Sequence, residues 1–451
     1  MKYIPTTPEE EAKMLAEIGI NSIEELFEDI PEEVRFRGRL NLPEAMSEAE
    51  LIKHMRELAS RNADLETYTC FMGGGVYDRL VPAALAKLVG RAEFVTTYTP
   101  YQAEVSQGVL QSIYEFQSLI CLLTGLDVAN ASVYDGATAC AEAALMACAH
   151  TRRNTILLAE GLHPEYRLVV ETYLRPQGLT TITVPMRNGR LDMEALRDHL
   201  SKDAAGLIIQ QPNFFGCLEE VDPVGQAVHE AGGLYIACVD PVSLAVLKSP
   251  GGYNADIAVG EGQPLGNAPG FGGPHVGFMA TKKELIRRLP GRIVGATVDT
   301  EGRRGYVLTL QAREQHIRRE RATSNICSNQ ALNALTAAIF LALVGRQGLK
   351  DIAVQSLQKA HYAYRRLCEL PGFEPVFDAP FFQEFTLAVD QDVEKLNELL
   401  LKEKIIGGLP LSRFDSRYKN WALFCVTEAR TREEIDRLVT VLGRLRRREL
   451  T

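Results

Sequence analysis

The chain has 451 residues, 46% hydrophobic and 24% charged, with a formal net charge of −9. That balance specifies a globular protein with a large core and at least one smaller domain. The acidic excess argues against nucleic acid as a partner, since a phosphate-binding surface brings a basic surplus.

The first residues, MKYIPTTPEEEAKML, are acidic and have no apolar h-region, so no secretory or transit segment is expected. No apolar run reaches membrane-spanning length. Nine cysteines are scattered without a CxxC pair. That is the pattern of reduced thiols in a cytoplasmic protein, and no clustered ligand set points to a metal.

In chain order, residues 1–65 read as an arm of short helices. Thr7-Pro8-Glu9-Glu10 supplies an N-cap, a Pro at the first helical position and a Glu at the third. Ser22-Ile23-Glu24-Glu25 repeats the box, and 47–58 carries a third helical pattern. A polar stretch over 61–77, with Gly73-Gly74-Gly75, precedes a helix at 80–89.

From residue 108 the pattern is that of an α/β domain, assigned to 66–345. Helices are predicted at 108–123, 136–149, 193–200 and 223–231. β-branched runs predict strands at 155–158, 180–184, 205–210, 234–239, 256–259 and 275–280. Such alternation implies a mostly parallel sheet with helices on both faces. A helical stretch over 329–344 joins this domain to a small α+β domain, 346–451. The small domain has strands at 385–389 and 421–426 and helices at 393–404 and 431–446.

The richest loop lies in NADIAVGEGQPLGNAPGFGGPHVGFMA, residues 254–280. Loops after strands of an open α/β sheet are where ligands sit. This one is dense in glycine, yet Gln263, Pro264 and Leu265 occupy its centre, with no Lys, Cys or Ser nucleophile. Its Gly270–His275 segment fails the dinucleotide fingerprint, because His275 stands at the third Gly place and Pro274 blocks the required helix.

Asp240 ends the apolar strand LYIACVD, where a carboxylate can hold a cofactor's ring nitrogen protonated. An Asp there is more commonly a helix or loop cap. Tyr134-Asp135-Gly136-Ala137-Thr138 opens an Ala-rich helix whose N–H groups and Thr hydroxyl suit a phosphate, although Asp135 is a poor neighbour for one. The segment over 96–104, TTYTPYQAE, packs hydroxyls, an amide and a carboxylate without periodicity, and reads either as binding contacts or as a satisfied surface loop. The basic stretch over 315–325 reads either as an anion site or as a solvated helix face.

Six stretches in order, EFVTTYTPYQAEVSQG, NASVYDGATACAEA, QQPNFFG, VDPVSLAVL, GEGQPLGNAPGFGGPHVGFMA and REQHIRRERATSNICSNQAL, closely resemble the glycine dehydrogenase (decarboxylating) family, the P-protein of the glycine cleavage system. The resemblance covers nearly the whole chain and fits the N-terminal half, the alpha subunit of split forms.

It implies the aspartate aminotransferase-like fold of pyridoxal phosphate (PLP) enzymes, fold type I. It also implies decarboxylation of glycine, with transfer of the aminomethyl group to the lipoyl arm of H-protein. The family's cofactor-binding lysine falls at Pro264, so PLP is expected on a catalytic beta subunit (subunit 2). Asp240, Thr138 and His275 are then vestigial cofactor contacts.

Because the family's active site lies at a subunit interface, Tyr98, Thr99, Pro100, Tyr101, Gln102 and Glu104 are the expected contribution to the partner's site. The expected assembly is a cytoplasmic heterotetramer of two alpha and two beta chains. Two alternatives remain: a self-sufficient PLP lyase or transferase using another lysine, Lys248 being the nearest, and a non-catalytic scaffold.

Overall fold

The computed structural model describes residues 5–271 and 273–449. Two compact units divide the chain, Met1–Asn62 and Ala63–Thr451.

In the first unit, helix α1 (Pro8–Ile18) opens on a complete capping box. The Thr7 hydroxyl accepts the Glu10 N–H at 3.3 Å and the Glu10 carboxylate accepts the Thr7 N–H at 2.8 Å. Gly19 ends it in the left-handed conformation, φ 84°. Helix α2 (Glu48–Ala59) opens on the same box made by Ser47 and Glu50. The Ser22 box produces only a 3-10 turn, Ile23–Phe27. Neither α-helix buries a residue, and fifteen large apolar side chains between Met14 and Leu58 are exposed.

The second unit is built on a seven-stranded sheet. Its strands are β1 (Val128–Ala129), β2 (Thr155–Ala159), β3 (Thr180–Val184), β4 (Ala204–Gln211), β5 (Leu234–Val239), β6 (Ile257–Glu261) and β7 (Gly277–Thr281), in the order β1-β7-β6-β5-β4-β2-β3. The pairs from β3 across to β6 are parallel, while β7 runs antiparallel to both β6 and β1.

The central strands read as continuous apolar runs because both faces are covered. Successive residues go to opposite faces. Leu157, Leu207, Ile209, Ala237 and Ala258 meet helices α4 (Gln107–Thr124) and α10 (Ala331–Cys368) in one cluster. Ile156, Leu158, Ile208, Ile236 and Val259 join α5 (Gly136–Thr151) and α6 (Pro164–Leu174) in the other. Helix α5 is buried from Gly136 through Cys148, and its run of Ala and Cys lets it lie close against the sheet. Helices α3 (Ala83–Val89), α7 (Met193–His199) and α8 (Val221–Glu230) complete the layers.

The hairpin β8–β9 (Ile293–Val298, Arg304–Thr309) packs on α4, followed by the single turn α9 (Gln315–Arg318). Helix α10 is broken at Gly345, with φ 61° and ψ −177°, and continues into the C-terminal part. There β10 (Phe373–Pro375), β11 (Glu384–Val389), β12 (Leu409–Pro410) and β13 (Trp421–Cys425) form a sheet in the order β10-β11-β13-β12, packed with α11 (Val393–Lys402) and α12 (Arg432–Glu449).

One expectation is corrected: α10 does contain a stretch long and apolar enough to cross a membrane by length and composition. Ala334, Ala337, Phe340 and Leu341 of that helix pack in the core, while Leu332 and Leu343 are exposed.

Candidate functional site

Strands β4, β5 and β6 end at a common edge, where a cavity of about 40 Å3 lies among the loops that follow. Gly75, Tyr77, His163, Tyr166, Gln210, Cys238, Asp240, Glu261 and Pro264 line it. This is the position where an open α/β sheet binds its ligand.

Asp240 lies here, just beyond β5. Its Oδ1 accepts the N–H groups of Val242 at 2.7 Å and Ser243 at 3.1 Å, and its Oδ2 accepts the Gln383 amide at 2.9 Å. The carboxylate is thus engaged by its own loop and by the segment before β11. His163 caps α6, with Pro164 at the first helical position. Its Nε2 lies 2.9 Å from the Gly74 carbonyl and its Nδ1 accepts the Glu165 N–H, which places the proton on Nε2. Burial holds its pKa below the ordinary value, so the ring is neutral.

Pro264, the residue expected at the family's lysine position, sits buried in the cavity wall. Gln263 beside it is spent on the backbone. Its Oε1 accepts the Tyr77 N–H at 2.9 Å, and its Nε2 donates to the Tyr77 and Asn267 carbonyls at 3.1 and 2.6 Å.

Tyr77 in turn donates its hydroxyl to Glu384 Oε2 at 2.8 Å, and Gly74 N–H donates to Glu384 Oε1 at 2.7 Å. Gly74 holds φ 88°, which brings that N–H onto the carboxylate. Burial raises the Glu384 carboxyl to about 7. Arg79, also buried, reaches Glu428 at 2.5 Å and bonds to the Gln383 amide oxygen. Residues 74–80 are therefore tied both to the loop after β6 and to the C-terminal sheet.

Thr138 lies in the first turn of α5, its N–H held by Asp135 Oδ1 at 2.7 Å. The His275 carbonyl accepts the Asn333 amide at 2.8 Å, and its ring Nδ1 lies 3.2 Å from Glu261. Lys248 pairs with Asp222 at 2.5 Å on the surface and does not line the cavity.

None of Tyr98, Thr99, Pro100, Tyr101, Gln102 or Glu104 lines this cavity. Tyr98 is 85% exposed and Tyr101 59%; Gln102 and Glu104 are exposed, whereas Pro100 is buried and pins the loop. Tyr101 meets the His316 ring edge-on at 6.3 Å and covers the Arg292 guanidinium at 5.8 Å. Of the expected residues the cavity thus takes in Asp240 and Pro264; His275 reaches it only through Glu261, and neither Thr138 nor the 98–104 loop lines it.

Glu261, Tyr77, His163 and Glu384 are site residues that pattern reading passed over. The Pro that follows His163 at a helix start was the one local signal available for any of them.

The residues present do not fit PLP. No lysine or arginine lines the cavity, two of its lining residues, Asp240 and Glu261, carry carboxylates, and Asp135 and Glu261 already hold N–H groups at the start of α5.

The fold is that of the PLP-dependent transferases of fold type I. A solved glycine decarboxylase (P-protein) of the glycine cleavage system, in inhibitor-bound form, superposes with a TM-score of 0.90 at 45% identity, covering 98% of this chain and 100% of that one. A sphingosine-1-phosphate lyase of Burkholderia pseudomallei, at 15% identity and a TM-score of 0.65, shares the fold.

The profile of the family described as Glycine cleavage system P-protein matches residues 1–442. Relatives described as probable glycine dehydrogenase (decarboxylating) subunit 1 are 56% identical over 443 residues in Carboxydothermus hydrogenoformans (98% of this chain, 99% of the relative) and 55% over 442 in Moorella thermoacetica (98% and 99%). The chain belongs to the glycine cleavage system P-protein family.

Proposed function

We propose that this chain is the cofactor-free subunit of a two-chain P-protein that decarboxylates glycine and passes the aminomethyl group to the lipoyl arm of H-protein. The feature that carries the reading is Pro264, placed by the family resemblance at the cofactor lysine's position and buried beside a cavity lined by no lysine or arginine: a P-protein chain of that kind needs a second chain to hold PLP. That partner is the subunit 2 implied by the numbering of its relatives. PLP on the partner would supply the electron sink for decarboxylation.

This chain's part is to complete the partner's site with the exposed loop over 98–104. Tyr98 and Tyr101 offer apolar faces with polar tips, and Glu104 offers a carboxylate that orients or exchanges a proton. The apolar side chains left exposed along residues 14–58 are a surface for the same partner. Burying an obligate interface of on the order of 2,000 Å2 or more would cover them. The proposed assembly has two copies of each chain. Nine free thiols fit a cytoplasmic location, which cell fractionation would test.

The test is co-expression with subunit 2, with mass by light scattering and glycine–bicarbonate exchange as activity. Tyr98→Phe and Glu104→Gln should assemble normally and lose about tenfold or more in turnover, if each group supplies about 1.4 kcal/mol in the transition state. Full activity in both variants, with assembly verified, would leave the chain as a scaffold. A monomer indifferent to subunit 2 would refute the reading.

A further inference from the structure

Glu261, the last residue of β6, is 8% exposed and turns its carboxylate toward the start of α5. Its Oε2 accepts the N–H of Gly136, the first residue of that helix, at 3.0 Å. Its Oε1 accepts the N–H groups of Gln263 and Val276, both at 2.9 Å. His275 Nδ1 approaches the same carboxylate at 3.2 Å.

The start of a buried, 16-residue helix carries roughly half a positive charge and unpaired N–H groups, which favour an anion. In phosphate-binding α/β proteins that anion belongs to a ligand. Here Asp135 and Glu261 take the Thr138 and Gly136 N–H groups between them.

We infer that the Glu261 carboxylate is a built-in occupant of the phosphate seat, so that this chain fills its own cofactor pocket and folds closed without a ligand. Three observations converge on this. An incoming phosphate would meet two carboxylates at the helix start and no lining Lys or Arg. Substitution by the Glu261 side chain also organises the loop, because its second oxygen bonds the residues on either side of the 264–275 segment. The same loop also ties the 74–80 segment to the site: Gln263 bonds the Tyr77 backbone, and the cavity beside it measures about 40 Å3. The inference concerns this chain's own pocket and stands whether or not the 98–104 loop acts in a partner's site.

Chemical rescue tests it on the full chain. Glu261→Ala should lower Tm by several degrees. Sodium formate, acetate or inorganic phosphate at millimolar concentration should restore at least half of that loss saturably, measured against sodium chloride at equal ionic strength. Glu261→Gln, which keeps the side chain's volume and one acceptor, should lose less and show no rescue. Wild type should respond to none of these anions and should give no absorbance change with pyridoxal 5′-phosphate.

Glu261→Ala melting like wild type, or losing stability with no rescue beyond chloride, would overturn the inference. So would saturable stabilisation of wild type by phosphate or pyridoxal 5′-phosphate. If Glu261→Ala does not fold, the wild-type titrations and Glu261→Gln still decide between these outcomes.

Discussion

Replacing Glu384 by Gln should change how the chain's stability depends on pH. The carboxyl is fully buried, accepts from Gly74 N–H and the Tyr77 hydroxyl, and is raised from 4.5 to about 7 chiefly by burial. A folded-state pKa above the unfolded value means that the native state holds the proton more tightly. The group's stabilising contribution is then complete below about pH 4.5 and is lost as pH rises through about 7. At about 1.4 kcal/mol per pH unit, the loss amounts to about 3 kcal/mol.

Glu384→Gln cannot ionise and escapes that loss. At about pH 5 it should be less stable than wild type by about 1 kcal/mol, having exchanged an acceptor for an amide donor that needs a partner. By about pH 8 it should be the more stable of the two, since the wild-type chain alone has lost its term. Urea unfolding of both chains at several pH values measures the difference, in which other titrating groups cancel. A variant-minus-wild-type difference that stays flat from pH 5 to 8 would refute the assignment of Glu384 as a carboxyl protonated near neutrality.

Two further outcomes follow from the geometry. A Cβ at Gly277 would lie 2.2 Å from the Asp135 carbonyl, so Gly277→Ala should cost about 1–3 kcal/mol or more and lower Tm measurably; an unchanged Tm would contradict the close approach of β7 to the start of α5. Lys248 pairs with Asp222 on the surface, so Lys248→Ala should leave assembly and exchange activity of the two-chain enzyme unchanged, whereas its loss would favour a cofactor on this chain.

The strands at 180–184 and 234–239 coincide with their predicted bounds, because both are short β-branched or apolar runs enclosed by helical periodicity. The capping box at Thr7 places the start of its helix to the residue, and the helical pattern over 47–58 lies within one residue of Glu48–Ala59 at each end. The same signal at Ser22 produced one 3-10 turn, since a cap satisfies only the first donors and cannot supply the buried face that sustains a helix.

Helix α6 was passed over although His163-Pro164 marks its start, and the β8–β9 hairpin was hidden in a stretch with no continuous apolar run. The reading of Pro264 as the family's lysine position rests on resemblance alone, because nothing in a single sequence requires a lysine at that point.

Glu261 was invisible for a physical reason. In the loop it looks like one acidic residue among glycines, and the N–H that gives it a role belongs to Gly136, 125 residues earlier. The Arg79–Glu428 pair and the Asp240–Gln383 bond are equally remote in sequence. Local pattern reports elements well; it does not report which loop ends the sheet brings to one edge.

In the proposed two-chain enzyme this chain holds no cofactor and its partner does. Borohydride reduction of the co-expressed, PLP-loaded pair, followed by peptide mapping of both chains, tests it most directly. The predicted result is one pyridoxyl-lysine per pair, located on subunit 2, with every lysine of this chain unmodified. Stoichiometric label on any lysine of this chain would contradict the account.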